Sequence, residues 1–154
     1  MRTKTTLLTL LISAAAASFC FAADDAFMGT WKLDEAKSKI PEGMAKNRTV
    51  VYAQSGDEVT ITVDGTVGGK AVHHVWTGKF DGKDYPVVGS DMHDTRAYTK
   101  VDDHTLSYTV KKGGQEIGAG KVVIAADGKS RTTSETNTGK DGKQLSMTGV
   151  YDKQ

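Results

Sequence analysis

Beyond Ile40, apolar and polar residues alternate in short runs, and almost nothing carries the three-to-four-residue spacing of an amphipathic helix. Val59, Ile61 and Val63 fall on one face of an extended chain, with Thr60 and Thr62 on the other. Leu106, Tyr108 and Val110 alternate with Thr105, Ser107 and Thr109, and Leu145, Met147, Gly149 and Tyr151 share a face near the end. Burial on one side only is the mark of antiparallel sheet. Turn dipeptides separate the runs: Asp64-Gly65, Asp81-Gly82, Asp127-Gly128, Asp141-Gly142, Gly68-Gly69, Gly113-Gly114 and Ser55-Gly56. They supply the positive φ angles that tight hairpins need, and Asp127-Gly128 reads as a type I′ turn.

Ten strands are predicted, near 28–33, 47–54, 58–64, 70–80, 84–88, 94–101, 104–112, 115–125, 130–137 and 144–152. Hairpin connections pair each strand with its neighbour in an up-and-down meander. An open meander of that length leaves two long edges, so closure is favoured, and a barrel of that size has room for a cavity. The predicted fold class is therefore all-β, an antiparallel up-and-down β-barrel of about ten strands; an open sandwich is the other arrangement. Asp34 to Lys46 stands apart: Asp34-Glu35-Ala36-Lys37 suits one helical turn, which Pro41 and Gly43 would end.

The first 22 residues read as a signal peptide. Arg2 and Lys4 precede an apolar run from Leu7 to Phe21, and Cys20-Phe21-Ala22 places small residues where a signal peptidase needs them. A bulky Phe19 before Cys20 argues against lipid attachment there. Residues 23–154 are then a single exported domain, periplasmic or extracellular, without a cysteine and so without a disulfide. Arg2 and Lys4 leave with the leader, so a formal net charge of +1 becomes −1. Near-neutral, mixed charge offers no footprint for nucleic acid or an anionic membrane. No further apolar run is long enough to span a bilayer as a helix. A monomer without a cofactor is expected.

Two short stretches resemble a known group. Phe27-Met28-Gly29-Thr30-Trp31-Lys32-Leu33 resembles the opening strand of intracellular fatty-acid-binding proteins, and Val150-Tyr151-Asp152-Lys153 is similar to their closing strand. The wider calycin group, lipocalins included, shares the Gly-x-Trp start. A Gly-Thr-Trp-Lys-Leu start followed by Lys37-Ser38-Lys39 also resembles small exported bacterial proteins of unknown function. The resemblance implies a barrel whose base is plugged by Trp31; Lys153 either lies over the indole as a cation–π partner or stands solvated at the chain end. It also implies an interior ligand. Two features depart from it: the segment after the first strand is too short for a helical lid, and Gly149 stands where the group's carboxylate-binding arginine would precede Tyr151. Arg96 and Arg131 are strand arginines that could substitute.

The candidate ligand contacts are Trp76, His74, Tyr108, Met147 and Tyr151. His73 and His74 are adjacent, so a strand points them to opposite faces, His74 inward with Val72 and Trp76. The predicted ninth strand is polar on both faces, with Arg131, Thr133 and Glu135 opposite Thr132, Ser134 and Thr136. A dry core would leave such groups unsatisfied, whereas a wet cavity would not. No Gly-x-Ser-x-Gly elbow or nucleophilic cysteine occurs in residues 23–154, so no catalytic residues are assigned and an enzyme is not expected. The expected function is to hold a small apolar or amphipathic ligand inside the barrel. Two other readings are an envelope or stress interaction protein with a filled barrel, and a haem- or metal-binding barrel using His74 or His93.

Overall fold

In the computed structural model, residues 25–139 and 141–154 are described, and the expected leader, residues 1–22, lies outside them. Ten strands follow in order: β1 (Gly29–Lys39), β2 (Lys46–Ser55), β3 (Glu58–Val67), β4 (Lys70–Gly78), β5 (Tyr85–Val88), β6 (Thr95–Asp102), β7 (Thr105–Lys112), β8 (Gln115–Ile124), β9 (Ser130–Thr138) and β10 (Gln144–Lys153). Each pairs antiparallel with its chain neighbours, and β1 closes the sheet against β10 through pairs such as Leu33 with Tyr151. The result is the closed up-and-down barrel the alternation predicts, with no free edge left to template aggregation. Among the described residues, no helix is long and apolar enough to cross a membrane.

The turns divide by chemistry. At Gly68-Gly69 and Gly113-Gly114 both central residues have positive φ (54° and 78°, 59° and 78°), which is the type I′ pattern. Asp127-Gly128 differs from expectation. Gly128 has φ 69°, Asp127 does not have positive φ, and the Gly128 N–H donates to the Ala125 carbonyl at 2.8 Å. That is a type I-like turn closed by a left-handed glycine, because an aspartate carries a Cβ and avoids the left-handed region that I′ demands twice. Asp64-Gly65 is not a turn at all but lies inside β3. There Arg48 bulges from β2, and a Cβ on Gly65 would stand 2.2 Å from the Lys46 carbonyl oxygen. The glycine is needed for close backbone approach, a role the sequence cannot distinguish from a hairpin.

The helical turn expected at Asp34–Lys37 is also replaced, by a bulge within a longer β1. The register jumps from Asp34 opposite Val150 to Lys39 opposite Thr148. Asp34 Oδ1 accepts the N–H groups of Ala36 and Lys37, and Ser38 Oγ accepts the Val150 N–H at 2.9 Å. Side-chain oxygens thus satisfy the backbone groups that the bulge removes from the ladder.

Inward residues fill one end of the barrel. Trp31 is 0% exposed, and its indole N–H donates to the Phe27 carbonyl at 2.9 Å. Leu106, Ile124 and Val59 join the same core cluster. Above them the Arg131 guanidinium lies over the rings of Trp31, Tyr52 and Tyr151 at 5.1, 4.9 and 4.7 Å, and Lys153 Nζ sits 5.2 Å from the Trp31 ring. The desolvated Arg131 cation contributes about 2 kcal/mol or more through these rings, and the exposed Lys153 contact about 0.5–1 kcal/mol. Arg131 therefore anchors the closed end.

Candidate ligand-binding site

At the other end the packing stops and a cavity of about 330 Å³ opens. One side of its wall is apolar, with Val72 from β4, Val110 from β7, Ile117 from β8 and Met147 from β10, while His74 from β4 and His93 from the β5–β6 segment make another part of it polar. Its floor is polar. Asn47 from β2, Arg96 from β6, and Glu135 and Asn137 from β9 meet there. The period-2 alternation of β9 places Arg131, Thr133, Glu135 and Asn137 on one inward face, from the closed end toward the mouth.

The floor is a connected network. The Tyr108 hydroxyl donates to Glu135 Oε2 at 2.5 Å, and Asn137 Nδ2 donates to Glu135 Oε1 at 2.6 Å. Arg96 Nη1 donates to the Tyr98 hydroxyl at 3.1 Å, and its Nη2 lies 4.0 Å from Glu135 Oε2. The Arg96 guanidinium also lies 4.9 Å from the Tyr108 ring. Burial, above all, pushes the Tyr98 hydroxyl up to about 12 and the Tyr108 hydroxyl well above its usual range, with Glu135 adding to the rise at Tyr108. Both phenols are therefore neutral near pH 7, Tyr98 accepting from Arg96 and Tyr108 donating to Glu135. Burial works against the Arg96 charge, but the oxygens of Tyr98, Glu135 and Tyr108 outweigh it and keep the guanidinium protonated.

Among the described residues, seven buried side-chain polar atoms have no hydrogen-bond partner. Five of them line this cavity: Asn47 Oδ1, His74 Nε2, His93 Nε2, Arg96 Nε and Asn137 Oδ1. A buried polar atom without a partner costs about 1–3 kcal/mol, so their gathering at one place marks where a polar group from outside would be stabilised. The other two belong to Arg131, beside a void of about 30 Å³ that is large enough for a water.

The five sequence candidates divide between cavity and core. His74 and Met147 line the cavity. Tyr108 and Tyr151 line the smaller void beneath it, and Tyr108 reaches the floor through Glu135. Trp76 is 2% exposed and lines neither; its indole N–H donates to the Arg96 carbonyl at 2.9 Å, and its ring packs against Phe80, Tyr85 and Tyr98. It holds the backbone of the residue that forms the floor. Of the two strand arginines, Arg96 reaches the cavity and Arg131 the aromatic end. Asn47, Asn137 and the floor role of Glu135 were not singled out by sequence. The even spacing of Arg131, Thr133, Glu135 and Asn137 was the available signal for the last two.

No family model matches this chain, and no curated protein does. Among solved structures the chain is similar to an odorant-binding protein from bovine nasal mucosa, at 19% identity and a TM-score of 0.47, over 84% of this chain and 72% of that one.

Proposed function

We propose that this chain is an exported, non-catalytic carrier or sensor that holds one small amphipathic molecule in the open end of its barrel. The observation that carries the reading is the cavity itself, a partly apolar wall over a buried floor whose Arg96 Nε, Asn47 Oδ1 and Asn137 Oδ1 have no partner. Its volume of about 330 Å³ lies at the small end of the usual range for small-molecule sites. The ligand's apolar body packs on Val72, Val110, Ile117 and Met147, and its polar head meets the floor. The Arg96 and Glu135 charges offset each other, so the head is polar without needing a full charge. The leader reading of residues 1–22 supports action outside the cytoplasm.

An amphipathic fluorophore such as anilinonaphthalene sulfonate tests this directly. It should brighten on binding the folded chain with one site per molecule. Ile117→Trp, which fills the cavity from a half-buried position, should weaken binding at least about 10-fold while leaving the urea midpoint within error. Unchanged binding by that variant would place the fluorophore elsewhere and remove the cavity from the proposal.

A further inference from the structure

Two side chains reach Glu135 across glycines and hold it fixed at the cavity floor. Tyr108 of β7 pairs with Gly120 of β8, and Gly120 pairs with Glu135 of β9, so the glycine lies between the phenol and the carboxylate. A Cβ on Gly120 would overlap the Tyr108 hydroxyl, so glycine is what lets the phenol lie across β8 and donate to Glu135 Oε2. Gly118 does the same for Asn137, whose Oδ1 a Cβ there would overlap. Asn137 Nδ2 donates to Glu135 Oε1, so the carboxylate is gripped at both oxygens.

Arg96 faces this carboxylate without touching it. Its Nη1 donates to the Tyr98 hydroxyl, its carbonyl accepts from the Trp76 indole, and its guanidinium lies against the Tyr108 ring. Held in this way, Nη2 stops 4.0 Å from Glu135 Oε2, whereas a direct charge-assisted bond would need about 2.7–2.9 Å. Among the described residues Nη2 makes no hydrogen bond, and Oε2 accepts only from Tyr108 although it has a second lone pair. One oxygen atom about 2.8 Å from both would subtend an angle of about 90° between them, with two bonds of ordinary length. That atom must accept from Nη2 and donate to Oε2. Both residues line the open cavity, so the gap lies where a ligand's head arrives.

We propose that the gap between Arg96 and Glu135 seats a hydroxyl, so that the cavity selects neutral amphipathic alcohols over carboxylates, amines and ketones. The proposal rests on the amphipathic-ligand reading and names the head that the ligand carries. A hydroxyl accepts and donates through one atom, as the gap requires. A carboxylate has no proton to give and meets Glu135 as a like charge. An ammonium has protons to give but meets Arg96 as a like charge. A ketone accepts from Nη2 and leaves the facing lone pair of Oε2 without a donor. At about 30 Å³ for each small group, a cavity of about 330 Å³ takes about ten non-hydrogen atoms, the size of a linear alcohol of about nine carbons.

Isothermal titration calorimetry of the folded chain at pH 7 against nonanol, nonanoate, nonylamine and methyl heptyl ketone reads the preference without any variant. Nonanol should bind one per chain, at least about 10-fold more tightly than each of the other three. Glu135→Gln leaves Arg96 as the uncompensated charge of the floor. That variant should bind nonanoate at least about 10-fold more tightly than the unmodified chain does, and nonanol more weakly. Misfolding cannot raise an affinity, so the gain for nonanoate separates a binding role from a structural one. Nonanoate or nonylamine matching nonanol on the unmodified chain would overturn the hydroxyl and leave the cavity reading in place. So would equal affinity for nonanol and the ketone, the result expected of a gap that only holds water, and so would no gain for nonanoate in Glu135→Gln. If none of the four binds, the alcohol assignment falls, and the cavity reading falls with it only if the fluorophore also fails to bind.

Discussion

Replacing Arg96 by methionine isolates the energetics of the cavity floor. The side chains of Arg96 and Glu135 are only 11% and 13% exposed and lie 4.0 Å apart. At an effective dielectric constant of 20 their attraction is about 4 kcal/mol, and removing one member of a buried pair typically costs about 3–5 kcal/mol. Glu135 retains its bonds from Tyr108 and Asn137, and the cavity opens toward solvent, so the expected cost of Arg96→Met is nearer 2–4 kcal/mol. For a domain of this size that lowers the melting temperature by on the order of 10 °C. The double variant Arg96→Met with Glu135→Gln should recover most of the loss, because no unpaired charge is left in the barrel. Urea unfolding at pH 7 on the four members of the cycle gives the coupling directly, expected at about 2 kcal/mol or more with a constant m value. Additive single costs, or a loss below about 1 kcal/mol for Arg96→Met, would refute the reasoning.

Trp31→Ala should destabilise the chain by about 3–5 kcal/mol, read as a shift in the urea midpoint, because the indole is fully buried and carries the Phe27 bond and the Arg131 and Lys153 contacts. Gly128→Val should cost about 1–3 kcal/mol through backbone strain alone, since no atom lies near its Cβ; an unchanged melting temperature would contradict a φ of 69°. Gly65→Ala should cost more than a strand glycine's propensity suggests, since its Cβ would meet backbone rather than a mobile side chain. The chain should lose stability as pH falls. His74 and His93 have folded values of about 4 and 3 against about 6.5 unfolded, so the unfolded state takes up protons first. Stability is complete above about pH 7 and falls through the window from 6.5 toward 4, by about 2–3 kcal/mol per histidine at pH 4.5. A His74→Gln, His93→Gln chain whose urea midpoint falls just as steeply between pH 7 and 4.5 would contradict this.

The ten strands were legible because one-sided burial writes a period of two into the sequence, as at Val59, Ile61 and Val63, and because glycine pairs mark hairpins. Legibility failed where one residue type serves two geometries. Gly65 follows an aspartate as a turn glycine would, yet it serves a crossing of backbones at the Arg48 bulge. Asp34 opens a stretch that suits a helical turn, and its side-chain oxygen does cap free N–H groups, but those of a bulge that Ser38 completes. The polar inward face of β9 was visible as an anomaly, and the cavity lies where it pointed. The floor itself was not visible, because Asn47, Arg96 and Glu135 come from three strands far apart in the chain and meet only on closure. His93 lies outside any strand, so no periodicity could place it against His74.

The central claim is that the open end of the barrel holds a small molecule. Native mass spectrometry of the processed chain, purified gently from the envelope fraction of its own host, tests it most directly. The account predicts a co-purifying species of a few hundred daltons at one per chain, lost in the Ile117→Trp variant. A bare polypeptide mass from the host, with no shift on adding amphipathic small molecules, would contradict it.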